Sequence, residues 1–227
     1  MRLNRVAAVG VVAFTLGVIG GAAVGDVFQP GQTLTLEGTT PTLSPWLQGN
    51  VSGGTTRFFE VRDGSNAVVF SGTLVVDFVQ AFPFGVQSAN YRLVGTSGVG
   101  GRSVTSIQLP GWRTSSVDAE FRSDLEPGAV PPSFAGRSLD GDTVTFLFTG
   151  GLPAGQDSRS SYIFSGATEI VSTGIARVIL NTNELVEVTG LPIPAPDVAC
   201  PGDTNGDGVI NFVDLNGVLS NFGQNCP

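Results

Sequence analysis

Near the C-terminus the run Asp203-Thr-Asn-Gly-Asp-Gly-Val-Ile-Asn-Phe-Val-Asp214 sets oxygen-bearing residues at alternate positions. A hard cation such as Ca²⁺ takes about six to eight oxygens, and a tight loop can supply them from alternating residues. Asp203, Asn205 and Asp207 offer side-chain oxygens, and Gly208 permits the sharp turn. Val209 offers its backbone carbonyl, Asn211 follows, and Asp214 closes the loop. Three carboxylates suit Ca²⁺, whereas Mg²⁺ demands a more rigid octahedral cage. The expected metal ligands are therefore Asp203, Asn205, Asp207, Val209, Asn211 and Asp214, with Ca²⁺ as the cofactor.

Cys200 and Cys226 are the only cysteines, and they bracket this loop. In an exported chain two such cysteines are expected to pair, with free thiols or an intermolecular link as the alternative. Closing that loop would stabilise a small tail by roughly 3–4 kcal/mol in the chain-entropy model. Elsewhere the chemistry is sparser. Asp118 and Glu120 stand two apart, so on a strand they share a face. A glycosidase needs two carboxylates roughly 5–10 Å apart across a cleft, and a solvated strand face explains this pair better. Asp140 and Asp142 read as a turn before a second cation site. Trp46, Trp112, Tyr91 and Tyr162 could stack on sugar rings, but so few large aromatics fit core or edge packing more simply. The stretch Gly95-Thr-Ser-Gly-Val-Gly-Gly101 reads as a flexible loop, since no dinucleotide-fold helix pattern follows it. No catalytic residue and no organic cofactor is assigned.

The absent residues narrow the chemistry further. There is no His, and all 11 basic residues are Arg. Without His there is no Ser-His-Asp or Cys-His nucleophile and no imidazole metal site. Without Lys there is no Walker A loop and no Schiff base. The net charge of −8 opposes phosphate backbones, so nucleic acid is not an expected partner.

Elements must position these groups. Arg2 and Arg5 precede the apolar run Val6–Ile19 and a small-residue end at Gly20–Gly25, which describes a secretory signal over residues 1–25. The expected product is secreted or held at the cell surface, with no permanent membrane span after cleavage. Residues 26–190 read as short alternating strands broken by Gly, Pro, Asn, Asp and Ser. The candidates are Gln32–Glu37, Arg57–Arg62, Ala67–Val79, Tyr91–Val94, Ser103–Leu109, Ser116–Arg122, Thr143–Thr149, Arg159–Phe164, Gly174–Leu180 and Leu185–Val188. That pattern predicts a mainly β domain, an antiparallel β-sandwich or jelly roll. Prolines at alternate positions make residues 191–199 a semi-rigid linker. Residues 200–227 then form a separate tail, in which Phe212, Leu215, Leu219 and Phe222 recur at helical spacing.

The pattern Asp-x-Asn-x-Asp-Gly-x-Ile-Asn-x-x-Asp-Leu from Asp203 to Leu215 resembles the EF-hand-like calcium-binding repeat of bacterial dockerin modules. The resemblance covers the final residues, Cys200 to Pro227. It implies Ca²⁺-stabilised docking to a cohesin-like or other surface-anchoring protein, commonly by components that act on polysaccharide. Only one repeat is present, and Phe212 and Val213 are apolar where the family often carries hydroxyls. A single-repeat sorting or anchoring tag fits better than ordinary cohesin docking. The expected function is a non-catalytic exported protein that displays a β-sandwich through this tail. The alternatives are a carbohydrate-binding module, which requires an exposed aromatic row, and a polysaccharide-degrading hydrolase, which requires opposed carboxylates.

Overall fold

The computed structural model describes residues 28–40, 49–81, 86–113, 117–165 and 170–194, and in the tail Phe212, Leu215, Asn216 and Leu219. The described strands are β1 (Thr33–Thr35), β2 (Gly49–Arg62), β3 (Val68–Ala81), β4 (Val86–Gly98), β5 (Ser103–Pro110) and β6 (Val117–Phe121). They continue with β7 (Phe134–Arg137), β8 (Thr143–Pro153), β9 (Ser161–Ser165), β10 (Ile170–Leu180) and β11 (Leu185–Pro194). One sheet runs β1-β7-β8-β5-β10-β11 and the other β2-β3-β4-β9-β6. Every strand pairing is antiparallel. The expected antiparallel sandwich is the fold found. No helix among the described residues is long and apolar enough to cross a membrane.

Alternation builds the core. In β3, Leu74, Val76 and Phe78 point inward and are buried, while Thr73, Val75 and Asp77 take the other face. Ala89, Tyr91 and Leu93 do the same in β4, and Ile163 in β9. Val104, Ile107, Val144, Phe146, Val178 and Leu180 meet them from the opposite sheet. Each fully buried Val, Leu or Phe contributes about 1.5–3 kcal/mol, which offsets the chain entropy lost in ordering the strands. The β2–β3 hairpin is set by Asp63, whose carboxylate accepts the backbone N–H groups of Ser65 and Ala67. Asn66 then turns the chain at φ 67°, a conformation Asn tolerates better than most residues.

Several strands run further than their sequence implies. β2 begins at Gly49 and runs through the Gly53-Gly54 pair, which strand propensity disfavours. β4 continues to Gly98, so the segment read as a loop from Gly95 is half strand, with an extra residue of β4 between Val94 and Ser97 opposite Thr73 and Ser71 of β3. β7 has no counterpart among the sequence candidates, because Phe-Ala-Gly-Arg is too short to show a period. β11 extends to Pro194, and Leu191 is fully buried. The domain therefore includes the first residues of the stretch assigned to the linker. In each case cross-strand pairing supplied what local propensity did not.

One end of the sandwich is closed by a buried arginine. Arg137 Nη1 donates to Phe28 O at 2.6 Å, Nη2 to Trp112 O at 3.0 Å and Nε to Gly141 O at 3.0 Å. Burial pulls its pKa below the usual guanidinium value. These bonds fasten the segment at Phe28, the β5–β6 connection and the β7–β8 turn onto one planar group. Phe28 N also donates to Val117 O at 2.8 Å.

Candidate functional site

The inner face of β2 changes character along its length. Phe59 and Val61 are buried core residues, but Gly53, Thr55 and Arg57, which share their face, are not apolar. Gly53 lies opposite Phe78 in register and Thr55 opposite Val76. Where a core side chain would stand there is glycine or a polar group, and the two sheets part. The result is a groove of about 450 Å³ at the edge of the sandwich. β2 forms one wall, Ile170 and Ser172 of β10 with Gly190 and Pro192 of β11 the other, and Phe78 lines it from β3.

Arg57 spans this mouth. Its Nε donates to Thr189 O at 3.3 Å and its Nη2 to Gly190 O at 3.1 Å, which ties β2 to the edge strand of the other sheet. Nη1 reaches Thr56 O at 3.4 Å. No carboxylate among the described residues pairs with this charge. Arg62, Arg92, Arg102, Arg113, Arg122 and Arg177 each pair with an acid. Among the described residues Arg57 and Arg159 donate to backbone carbonyls instead. Of these two Arg57 is the exposed one. The pocket is therefore a polar, weakly cationic slot between two sheet edges.

The sequence candidates fall elsewhere. Asp118 and Glu120 lie on one face of β6, an edge strand of its sheet. Glu120 Oε1 accepts the backbone N–H groups of Gly38 and Phe121, both at 3.0 Å. Burial nevertheless raises its pKa, assisted by repulsion from Glu37. Its role is to hold the chain before β2 against β6. Asp140 accepts Ser138 Oγ at 2.6 Å and Asp142 N at 3.2 Å and pairs with Arg113. These bonds hold its pKa below the ordinary carboxylate value, and they describe a turn.

The aromatic row is also absent among the described residues. Trp112, Tyr91 and Tyr162 are buried, and Trp46 lies outside the described residues. Tyr162 stacks on Phe164 with ring centroids 5.9 Å apart. Burial raises the Tyr91 hydroxyl's pKa, and neither that hydroxyl nor Trp112 Nε1 has a hydrogen-bond partner among the described residues.

The expectation of a metal-binding, disulfide-closed, EF-hand-like chain is corrected for what the structure describes, which is a β-sandwich. Among the described residues no group of three His, Cys, Asp or Glu could hold a metal ion. The physical reason is that the acids are committed singly: Glu126 to Arg92 and Ser160, Asp124 to Arg122, Glu184 to Arg102. The described fold contains no disulfide and no helix–loop–helix unit. Asp203, Asn205, Asp207, Val209, Asn211, Asp214, Cys200 and Cys226 all lie outside the described residues. Four tail positions are helical, and Phe212, Leu215 and Leu219 there are 71%, 48% and 59% exposed.

Sequence reasoning missed the groove. Its one local trace is Gly53-Gly54-Thr55-Thr56 ahead of the apolar pair Phe58-Phe59, a break in the strand's binary pattern. No family model, no curated protein and no solved structure matches this chain.

Proposed function

We propose that this chain is a non-catalytic, exported β-sandwich displayed through its C-terminal tail. The observation that carries the reading is the exposed apolar set Phe212, Leu215 and Leu219 at helical positions, which starts within the oxygen-bearing run Asp203–Asp214 and continues past it. Three such side chains at helical spacing form one stripe, the kind of face a helix lays against a partner. The dockerin-like spacing supports Ca²⁺ as the group that orders the run and presents the stripe. Asp203, Asn205, Asp207, Asn211 and Asp214 would supply side-chain oxygens and Val209 its carbonyl. The partner on this reading is a cohesin-like or other anchoring protein at the cell surface.

The sandwich supports a display role by its economy of chemistry. Its Trp112, Tyr91 and Tyr162 are buried, Phe58 is a single exposed ring, and its acids serve turns and ion pairs. The test is Ca²⁺ titration of the full chain by calorimetry, with Asp207→Ala beside it, and surface retention of a chain lacking residues 200–227. Ca²⁺ uptake that Asp207→Ala abolishes, together with loss of retention on deletion, is expected. Absence of Ca²⁺ uptake removes the metal from the proposal, and unchanged retention removes the anchoring role.

A further inference from the structure

We infer that the groove between β2 and β11 is a binding site for an extended peptide strand carrying a carboxylate, which adds to the free edge of β2 and places that carboxylate on Arg57. Three observations converge. β2 is an edge strand of 14 residues whose outer side has no strand partner among the described residues. An edge of that length is a template for strand addition unless something guards it. The facing edge, β11, is less available, since its Thr189 and Gly190 carbonyls are already taken by Arg57.

The second observation is the charge. A guanidinium has five N–H donors; Arg57 commits three to carbonyls, and the rest have no partner among the described residues. In a chain of net charge −8 that pairs its other exposed arginines with acids, this group is left to meet an anion from outside. The third is shape. Gly53, opposite Phe78, removes the side chain that would close the slot, and a Cβ there would meet nothing within 4 Å. A strand laid along β2 sends alternate side chains to the inner side, over Phe78 and towards Arg57. Main-chain pairing would give affinity, and the arginine would select an acidic residue at one position.

A peptide fits better than an acidic sugar chain. Phe78 is only 5% exposed, so no open aromatic ring lines the slot for a pyranose to stack on. A free backbone edge matches another backbone. The site lies wholly in the sandwich, so it stands or falls separately from the display reading.

The test uses the full chain and a labelled, end-blocked peptide of about eight residues, a strand's length, in alternating valine and threonine with one central glutamate. Its glutamine counterpart and an oligogalacturonate are run beside it. The glutamate peptide should bind roughly tenfold tighter than the glutamine one, weaken with added salt, and shift the amide signals of Gly53, Gly54 and Thr55. Arg57→Gln should bring the two peptides to equal affinity. Gly53→Leu, which fills the slot and leaves Arg57 in place, should weaken both roughly tenfold or more. The proposal is overturned if neither peptide saturates the protein at millimolar concentration, or if glutamate and glutamine peptides bind alike. Binding that survives Gly53→Leu, or oligogalacturonate binding where the peptides do not, overturns it equally.

Discussion

Arg137 and Arg57 perform the same local act at opposite solvent exposures. Each guanidinium donates to three backbone carbonyls, and each takes one from a glycine in the left-handed region, Gly141 at φ 74° and Gly190 at φ 70°. Around Arg137 the surroundings are closed, and the residue is 7% exposed. Around Arg57 they are open, because Gly53 leaves a slot where a core side chain would stand. The difference teaches that a cation on carbonyls is a structural clamp when water is excluded and a recognition group when it is not. Desolvation makes every bond of the first obligatory. Water can replace the bonds of the second at little cost.

The sharpest way to break the comparison is Arg137→Met. It strands the carbonyls of Phe28, Trp112 and Gly141 in a buried site, and a loss of about 3–5 kcal/mol in urea unfolding is expected. A loss no larger than that of the matching change at Arg57 would end the distinction. Gly141→Ala comes next. It forces a Cβ into the left-handed region and sets it 3.2 Å from Pro30 Cγ and 3.4 Å from Arg137 Nη2, so about 1–2 kcal/mol should be lost. Gly190→Ala carries the same backbone strain but disturbs only the exposed clamp, and thermal melts of the two should differ accordingly. Arg57→Gln should cost about 1 kcal/mol or less, the net value of solvated hydrogen bonds.

Glu120→Gln gives the smallest effect and adds a pH axis. Glu120 holds Gly38 through a half-buried carboxylate whose pKa burial raises. Folding therefore favours its protonated form. That contribution is complete below the ordinary carboxylate pKa and is lost as pH rises through the raised folded value. At pH 7 the ionised group is a burden, so the variant, which can still accept both N–H groups, should gain a few tenths of a kcal/mol after solvent screening. At pH 3 wild type and variant should coincide. Urea midpoints at the two pH values decide it, and a gain that persists at pH 3 would assign the effect to something other than charge.

How much could be read in advance varied with the range of the interaction. The Ala67–Val79 run predicted β3 closely, because alternation of buried and open positions is a local signal. Asp63-Gly-Ser-Asn66 predicted its turn for the same reason. The glycine-rich first half of β2 and the end of β11 were not legible. Their strand character comes from partners, Val76 and Val75 for Thr55 and Thr56, and Ile170 for Pro194. The groove was illegible for a related reason: its two walls lie more than a hundred residues apart in the chain, and Arg57 meets Gly190 across 133 positions.

By itself the sequence determined the class of the domain, the turns, and the types of chemistry within reach, since a chain without His or Lys closes off whole mechanisms. It also set the spacing of oxygens from Asp203 to Asp214, which is a property of consecutive residues. Tertiary structure alone decided which arginine is a clamp and which is open, and which glycines leave space. Those are properties of exposure and of carbonyls brought from distant strands, and neither exists until two sheets have packed.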